Sequence, residues 1–244
     1  MLNKLKPDKK FFLDGTVIIA GSGPGNLNKI TLQTYQALKM ADIIIYDGLV
    51  NKNLLKLKSR NAKTIFAGKT FGNKSCTQEE IIEWMIDYTQ KKKKVLRLKS
   101  GDPSVFGRGS EEIQGLKHSK IPFKVFSGIT AAQEAMNELQ IEYFGSSGSF
   151  VLVTGHKKIS EIAPKVDFTK FGNYEGKIII YMGLNQIKTI SKKLIQSGKD
   201  KQNRVFIVSK ISMDSQKIFK TTLGECIKTD NHFGLSSPSI IIVD

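Results

Sequence analysis

Residues 97–112 read Arg-Leu-Lys-Ser-Gly-Asp-Pro-Ser-Val-Phe-Gly-Arg-Gly-Ser-Glu-Glu, and they are the most informative segment of the chain. The segment continues directly from Val95–Lys99, a short apolar run that predicts a buried strand. Glycine, proline and aspartate at this density after a strand predict an ordered loop of unusual shape rather than a generic connection.

Eight similar runs lie on either side of this segment and predict further strands. The nine runs together are Thr16–Ala20, Asp42–Tyr46, Lys63–Phe66, Val95–Lys99, Pro122–Phe126, Phe150–Thr154, Lys177–Tyr181, Val205–Ser209 and Ser239–Val243. Helical patterns or turns separate them. Such alternation predicts an α/β protein with mainly parallel sheets.

Two helix signals are clear between the strands. Apolar residues at three- and four-residue multiples predict one helix face, made by Leu27, Ile30, Ala37, Leu38 and Ala41. Thr77 and Glu80 have the spacing of a capping box, which predicts a helix start before Ile81–Tyr88.

A polar stretch rich in glycine and serine, Tyr143–Ser149, interrupts the alternation near the middle of the chain. We therefore predict two α/β lobes, residues 15–142 and 143–244, preceded by a basic N-terminal arm at 1–14. Clefts between lobes are common ligand sites, so we expect a ligand cleft between the two.

Composition bounds the class of protein. The chain has 244 residues, of which 40% are hydrophobic, as expected of a core-forming protein. Its apolar runs are strand-sized and too short to span a bilayer. The two cysteines are far apart and no His, Cys and Asp residues have metal-ligand spacing, so we predict a cytoplasmic protein without a metal site.

The formal net charge of +16 favours a polyanionic partner, either RNA or a small molecule with many carboxylates. Most of the positive charge is lysine, with arginine only at Arg60, Arg97, Arg108 and Arg204. Proteins that bind nucleic acid favour arginine, so nucleic acid is the less favoured partner.

Three strand ends carry candidate functional residues with alternative interpretations. Gly21–Gly25 has the position of a dinucleotide phosphate loop, but Asn26 stands where the G-x-G-x-x-G pattern needs its third glycine, so a tight turn is equally consistent. Asp47 is either a base or a helix cap. Lys69 is either a ligand-binding cation or a surface charge.

Taken in order, the strand-end segments are GSGPG (21–25), YDGLV (46–50), AGK (67–69), residues 97–112, SGITAA (127–132), VTGH (153–156) and YMGL (181–184). This set resembles the tetrapyrrole methylases from about residue 16 to residue 244. The resemblance implies a two-lobed class III methyltransferase fold, a homodimer and S-adenosylmethionine as methyl donor. It also implies C-methylation of uroporphyrinogen III to precorrin-2, on the branch to sirohaem and cobalamin.

Site residues follow from the same resemblance. It implies a proton acceptor at Asp47 and a proton donor at Lys69. The implied contacts to S-adenosylmethionine are Pro24, Ser100, Gly101, Asp102, Val105, Thr130, Ala131 and Met182. His156 is a further candidate for the ligand site.

The sequence departs from the family pattern at Thr70, at Ser146 and around Ile211, where polar groups expected near substrate and cofactor are missing. Two alternatives therefore stay open at this point. One is another methylase, acting in the corrin pathway or on RNA or protein. The other is a non-catalytic relative that binds S-adenosylmethionine.

Overall fold

Each half of the chain is built around one five-stranded sheet. The computed structural model describes residues 10–68, 76–144, 147–155, 166–229 and 232–244. These residues belong to two compact units, the N-terminal unit Met1–Thr130 and the C-terminal unit Ala131–Asp244. Both units contain α-helices as well as β-strands, which confirms the predicted α/β class.

The N-terminal sheet is entirely parallel, with the strand order β3-β2-β4-β1-β5. Its strands are β1 (Val17–Gly21), β2 (Ile43–Tyr46), β3 (Lys63–Phe66), β4 (Val95–Lys99) and β5 (Phe123–Phe126). All residues of β1 and β4 are buried, as expected of central strands that have helices on both faces. Gly21 is opposite Lys99, so the loops after β1 and β4 start side by side.

Three helices cover the two faces of this sheet: α1 (Leu32–Met40), α2 (Gln78–Gln90) and α3 (Gly109–His118). α1 packs on the face that contains Ile18 and Leu96, whereas α2 and α3 pack on the face that contains Ile19 and Val95. Successive strand residues point to opposite faces, so a single apolar strand supplies both cores.

The helix starts differ in how well the sequence predicted them. The capping box is confirmed, because the Thr77 side chain accepts from the Glu80 N–H and the Glu80 carboxylate accepts from the Thr77 N–H at 2.7 Å. α1 begins at Leu32 rather than near Leu27, because Thr31 caps it by accepting from the Thr34 N–H. Leu27 lies instead in a short 3-10 turn and is partly exposed.

The C-terminal sheet has the order β6-β7-β10-β8-β9. Its strands are β6 (Phe150–Thr154), β7 (Lys177–Tyr181), β8 (Arg204–Ser209), β9 (Lys217–Thr222) and β10 (Ser239–Val243). Only β6 and β7 pair in parallel, and the other three pairings are antiparallel. The prediction of mainly parallel sheets is therefore correct for the N-terminal unit and wrong for the C-terminal one.

Strand β10 accounts for most of this difference, because it pairs antiparallel with both β7 and β8. The third antiparallel pairing is made by β9, which the sequence pattern did not predict. β9 is an edge strand, and its lysines Lys217 and Lys220 are exposed. Lysine on an edge strand discourages pairing with other chains, but it also removes the apolar signal by which strands are found. β9 returns from β8 as a hairpin, so no helical crossover separates the two.

The described boundary between the units precedes the predicted one. The sequence predicted it after residue 142, but α4 (Ala131–Leu139) already belongs to the C-terminal unit. Ala132, Ala135 and Met136 of α4 are buried in one cluster with residues of β7, β8 and β10. The opposite face of this sheet is covered by α5 (Ile187–Gln196) and α6 (Leu223–Lys228).

The described part of the predicted N-terminal arm, residues 10–14, packs on the N-terminal unit instead of extending from it. Phe12 is 1% exposed and joins the core beside α1. Phe11 lies against Phe126, with ring centroids 5.3 Å apart. Two aromatic side chains outweigh the basic charge of the segment because burial of each removes a large apolar area from water.

Across the described residues, no helix is both long enough and apolar enough to cross a membrane.

Leu96 tests the core of the N-terminal unit, since it is fully buried in β4. We expect Leu96→Ala to lower the free energy of unfolding by about 2–5 kcal/mol, because the cavity adds to the lost transfer free energy. Urea titration followed by the fluorescence of Trp84, the single tryptophan, measures this unit directly. The matched control Leu13→Ala, at a half-exposed leucine, should change stability by no more than about 0.5 kcal/mol.

Candidate active site

The loops after β1 and β4 meet at the carboxyl end of the N-terminal sheet. The Gly101 N–H donates to the Gly23 carbonyl at 2.8 Å, and the Gly23 N–H donates to the Gly101 carbonyl at 3.3 Å. These two bonds make an isolated antiparallel bridge between the loops. Two of the sequence-predicted segments, GSGPG and SGDPSVFGRG, are therefore in direct contact.

Glycine is required where the ends of β1, β4 and β5 approach one another. A Cβ atom at Gly21 would lie 2.4 Å from the Gly101 carbonyl oxygen, and one at Gly128 would lie 2.1 Å from the same atom. Side chains at these two positions are excluded by sterics. Gly101 itself has φ +66°, a conformation that glycine adopts without steric cost.

The connections place this bridge at a switch point of the sheet. From β1 the chain runs to α1 on one face, and from the adjacent β4 it runs to α3 on the other face. In open α/β sheets, ligands bind outside the carboxyl ends of the strands where neighbouring connections diverge in this way. The loops after β1 and β4 are thus the best placed ligand-binding segments of the unit.

Asp102 holds the loop after β4 together. Its Oδ1 accepts from the Ser104 N–H at 2.8 Å and from the Ser104 hydroxyl, while its Oδ2 accepts from the Gly128 N–H at 2.9 Å. The carboxylate thereby connects the tips of β4 and β5. Ser100, Gly101, Asp102 and Val105 all lie in this loop and are partly exposed.

The other predicted contacts lie on separate elements. Pro24 is buried in the loop after β1, and Thr130 is partly exposed after β5. Ala131 begins α4 and Met182 follows β7, both within the C-terminal unit. The Tyr181 hydroxyl accepts from the Ala132 N–H at 3.1 Å, so the residues adjoining Ala131 and Met182 are in contact.

The tips of β6 and β7 also approach closely in the C-terminal unit. The Gly155 N–H donates to the Tyr181 carbonyl at 2.7 Å, and a Cβ at Gly155 would lie 2.4 Å from Gly183 Cα. Met182 lies between these groups with φ +53° and a 43% exposed side chain. The predicted segments VTGH and YMGL thus share one strand end.

Lys69 and His156 lie outside the described residues, so their predicted roles stay predictions. Thr70 and Ser146, two of the departures from the family pattern, also lie outside them.

Asp47 belongs to a buried group of charges, here called the charge cluster, together with Arg97, Lys99 and Glu112. Arg97 and Lys99 both project from β4 toward α3, which carries Glu112. Asp47 Oδ1 accepts from Arg97 Nη2, and Asp47 Oδ2 lies 3.5 Å from Lys99 Nζ. The Asp47 side chain is 29% exposed, whereas those of the other three are 3% exposed or less.

Glu112 connects the two cations. Its Oε1 accepts from Arg97 Nε at 3.0 Å, from Lys99 Nζ at 2.8 Å and from Gln78 Nε2 at 2.9 Å. Its Oε2 is buried and has no hydrogen-bond partner among the described residues. Two cations and two carboxylates balance, so the cluster carries no net charge.

Electrostatics within the cluster favour the charged form of Arg97. Burial by itself lowers the pKa of Arg97, but the negative charges of Glu112 and Asp47 outweigh that effect and raise the pKa above its ordinary value. The guanidinium is therefore a permanent cation beside Asp47.

Sequence reasoning identified Asp47 but assigned no role to Arg97, Lys99, Glu112 or Gln78. The available signal was the pair Arg97 and Lys99 at alternate positions of an apolar strand, which puts two cations on the same buried face. Buried charges require partners, and the acidic residues at the end of the 97–112 segment supply one. Among the described residues no group of three or more His, Cys, Asp or Glu side chains is arranged to hold a metal ion.

Comparison with known proteins gives the class to which this fold and these loops belong. The chain is a member of the tetrapyrrole (corrin/porphyrin) methylases, whose profile matches residues 16–227. It is thus an S-adenosylmethionine-dependent methyltransferase by class, and the family predicted from the motifs is confirmed.

Two curated relatives illustrate the similarity. The uroporphyrinogen-III C-methyltransferase of Methanocaldococcus jannaschii is 35% identical over 95% of this chain and 96% of its own length. The siroheme synthase of Escherichia coli is 37% identical over 94% of this chain. The chain spans only about half the length of that synthase, 50%.

A solved structure supports the same relationship. The uroporphyrin-III C-methyltransferase of Thermus thermophilus, in complex with S-adenosylhomocysteine, aligns with a TM-score of 0.78 and 27% identity. The alignment covers 93% of this chain and 96% of that protein. The two-unit class III architecture predicted from the sequence is confirmed by this match.

Gly21 tests the close approach of the strand tips. We expect Gly21→Ala to lower the free energy of unfolding by about 1–3 kcal/mol, because the new methyl group forces the loops after β1 and β4 apart. The matched control is Gly48→Ala, where the nearest atom to the added Cβ is Phe66 Cζ at 3.7 Å, an ordinary contact. Equal stability of the two variants in urea titrations would contradict the steric explanation.

Arg97 tests the charge cluster. We expect Arg97→Leu to cost about 3–5 kcal/mol of unfolding free energy, because it leaves the carboxylate of Glu112 buried beside a single cation. Arg108→Leu removes an exposed ion pair with Glu111 and, after solvent screening, should cost no more than about 1 kcal/mol. Urea titration followed by Trp84 fluorescence compares the two. A similar cost at both sites would show that burial of the cluster is unimportant.

Proposed function

We propose that the chain methylates uroporphyrinogen III at two ring carbons, with S-adenosylmethionine as donor and precorrin-2 as product. The identity of 35% to the Methanocaldococcus jannaschii uroporphyrinogen-III C-methyltransferase, over 95% of this chain and 96% of that protein, carries the proposal. A match along nearly the full length of both chains supports a common reaction. The product would enter the branch to sirohaem and cobalamin.

We propose that the strand-tip loops of the N-terminal unit bind the methyl donor. The missing side chain of Gly101 points toward space where the nearest atom is Thr130 Cα, at 3.9 Å from the ideal Cβ position. Backbone groups of a ligand loop are accessible there because no side chain covers them. When bound there, S-adenosylmethionine would supply an electrophilic methyl group from its sulfonium sulfur.

The donor contacts that we propose for this chain are those implied by the motifs. In the N-terminal unit they are Pro24, Ser100, Gly101, Asp102, Val105 and Thr130, and in the C-terminal unit Ala131 and Met182. For Asp102 we propose that backbone groups make the contact, because its carboxylate already accepts from Ser104 and Gly128.

Asp47 is the proposed proton acceptor. Methylation of a pyrrole carbon leaves a positive charge on the ring system, which is discharged when a proton leaves that ring. A carboxylate 29% exposed at the end of β2 is accessible to substrate, and its oxygens are oriented by Arg97 and Lys99. It can stabilise the ring cation and then accept the proton.

The proposed substrate also accounts for the charge of the chain. Uroporphyrinogen III carries acetate and propionate carboxylates around its ring. The chain has 38 Lys and Arg against 22 Asp and Glu, and the positive electrostatic field of this excess attracts polyanions at long range.

Lys69 remains the predicted proton donor. We propose that the chain acts as a homodimer, which size-exclusion chromatography with light scattering would measure directly.

The reaction is tested by anaerobic incubation of the purified chain with uroporphyrinogen III and methyl-labelled S-adenosylmethionine. Two labelled methyl groups per tetrapyrrole are expected. Calorimetric binding of the donor without label in the tetrapyrrole, in an assay where a known enzyme is active, would refute the proposal and favour a non-catalytic relative. Salt-sensitive binding of RNA with transfer of label to it would favour the RNA-methylating alternative.

Asp47→Asn tests the proposed proton acceptor. We expect kcat to fall by about 10²-fold or more, because the amide neither accepts a proton nor carries a charge to stabilise the ring cation. The KM for S-adenosylmethionine should stay within about threefold of the wild-type value, since no donor contact is assigned to Asp47. The control Asp87→Asn removes an exposed carboxylate of α2 and should leave both constants unchanged. Full activity of Asp47→Asn would remove Asp47 from the mechanism.

A further inference from the structure

Glu112 is a fully buried carboxylate that makes no contact with solvent, since its exposure is 0%. All its hydrogen bonds in the described structure are made by one oxygen, Oε1, to Gln78, Arg97 and Lys99. Burial of a carboxylate destabilises a fold unless the carboxylate is paired with a cation and hydrogen-bonded.

The partners of Glu112 are also the partners of Asp47. Arg97 Nη2 donates to Asp47 and lies 3.0 Å from Glu112 Oε1. Lys99 Nζ lies 2.8 Å from Glu112 Oε1 and 3.5 Å from Asp47 Oδ2. Two parallel routes, one through each cation, therefore connect the buried carboxylate of α3 to the accessible carboxylate at the end of β2.

Charge balance explains how Glu112 can affect the position of Asp47. Glu112 and Asp47 together neutralise Arg97 and Lys99. If Glu112 lost its charge, Asp47 would be the sole counter-ion of two buried cations. Its Oδ1 already accepts from Arg97, so the carboxylate would be drawn toward Lys99, whose Nζ lies 3.5 Å from Asp47 Oδ2. With Glu112 charged, the cations are held from the helix side, and Asp47 keeps its accessible position.

We propose that Glu112 is a positioning residue for methyl transfer, which acts through Arg97 and Lys99 to fix the carboxylate of Asp47 at the end of β2. The inference rests on the proposed function of Asp47. Small displacements of a reacting group are costly, and about 1 Å is enough to lower a rate by about 10²-fold. Gln78 supports the same assembly from α2, because its amide donates to Glu112 Oε1 at 2.9 Å.

A double-mutant cycle distinguishes positioning from general stabilisation of the fold. We expect Glu112→Gln to lower kcat for label transfer by about 10- to 100-fold, with the KM for S-adenosylmethionine changed by less than about threefold. In the Asp47→Asn background the same substitution should lower kcat by less than about threefold, because the group that it positions is already absent. Equal losses in both backgrounds would overturn the proposal.

The neighbouring Glu111 provides the matched control. Glu111 pairs with Arg108 near the surface and has no contact with Asp47 in the described structure. Glu111→Gln should leave kcat within about twofold of wild type. If Glu112→Gln does not fold, Gln78→Leu replaces it in the double-mutant cycle. A fall in kcat of about three- to tenfold that occurs with Asp47 present, but not in the Asp47→Asn background, supports the proposal. An unchanged kcat with Asp47 present contradicts it.

A structural readout separates failure of this inference from failure of the proposed function. Crystal structures of the wild type and Glu112→Gln should show the Asp47 carboxylate displaced toward Lys99 in the variant, so that the wild-type distance of 3.5 Å between Asp47 Oδ2 and Lys99 Nζ shortens, whatever the substrate is. An unmoved carboxylate would contradict positioning even if the enzyme is active. Absence of methyl transfer by the wild type, with the displacement observed, would reject the reaction but keep the structural role.

Discussion

Burial of Arg97 in the central strand β4 is the constraint on which the N-terminal unit depends. The Arg97 side chain is 2% exposed, so its guanidinium has lost almost all its hydration, and the fold must replace it with fixed partners. Those partners are Asp47, which directly follows β2, and Glu112 in α3. One side chain therefore fixes the position of a strand end and of a helix relative to the sheet, and an apolar residue at position 97 would specify neither.

The charge cluster and the glycine bridge act on the same loop from its two ends. Lys99 precedes Ser100, and a Cβ at Gly107 would lie 3.4 Å from Lys99 Cε, so the cluster contacts the loop after β4 both at its start and near its end. Between these points, Asp102 and the bridge to Gly23 hold the loop against the tips of β1 and β5. These contacts hold the loop at several points although it has no helix or strand structure, which suits a ligand-binding segment.

Sequence patterns predicted these elements unevenly, for physical reasons. Strands such as Val95–Lys99 are short apolar runs between turns, and nine of them were located, whereas β9 is an edge strand with exposed lysines and has no such signal. Phe12 was assigned to a basic arm because charge dominates its neighbourhood, although burial decides its position. Asp47 could be found from its place after a strand. For Glu112 the sequence indicates only that one of the two acidic residues ending the 97–112 segment pairs with Arg97 and Lys99, because the packing of α3 on β4 decides which of the two is buried.

The neutrality of the charge cluster bears on how a polyanion would be recognised. Arg97 and Lys99 lie close to the proposed proton acceptor. Because the chain has a net charge of +16, the two cations could be taken for residues that bind substrate carboxylates. Both are instead buried and matched by two carboxylates, so the cluster adds nothing to the net positive field. Attraction of a carboxylate-rich ring must then come from lysines on the surface, which act at long range and are screened by salt. In the proposed reaction, recognition is therefore assigned to surface lysines, whereas Arg97 and Lys99 orient the proton acceptor Asp47. Raising the ionic strength should affect the capture of substrate more than the rate of the bound reaction.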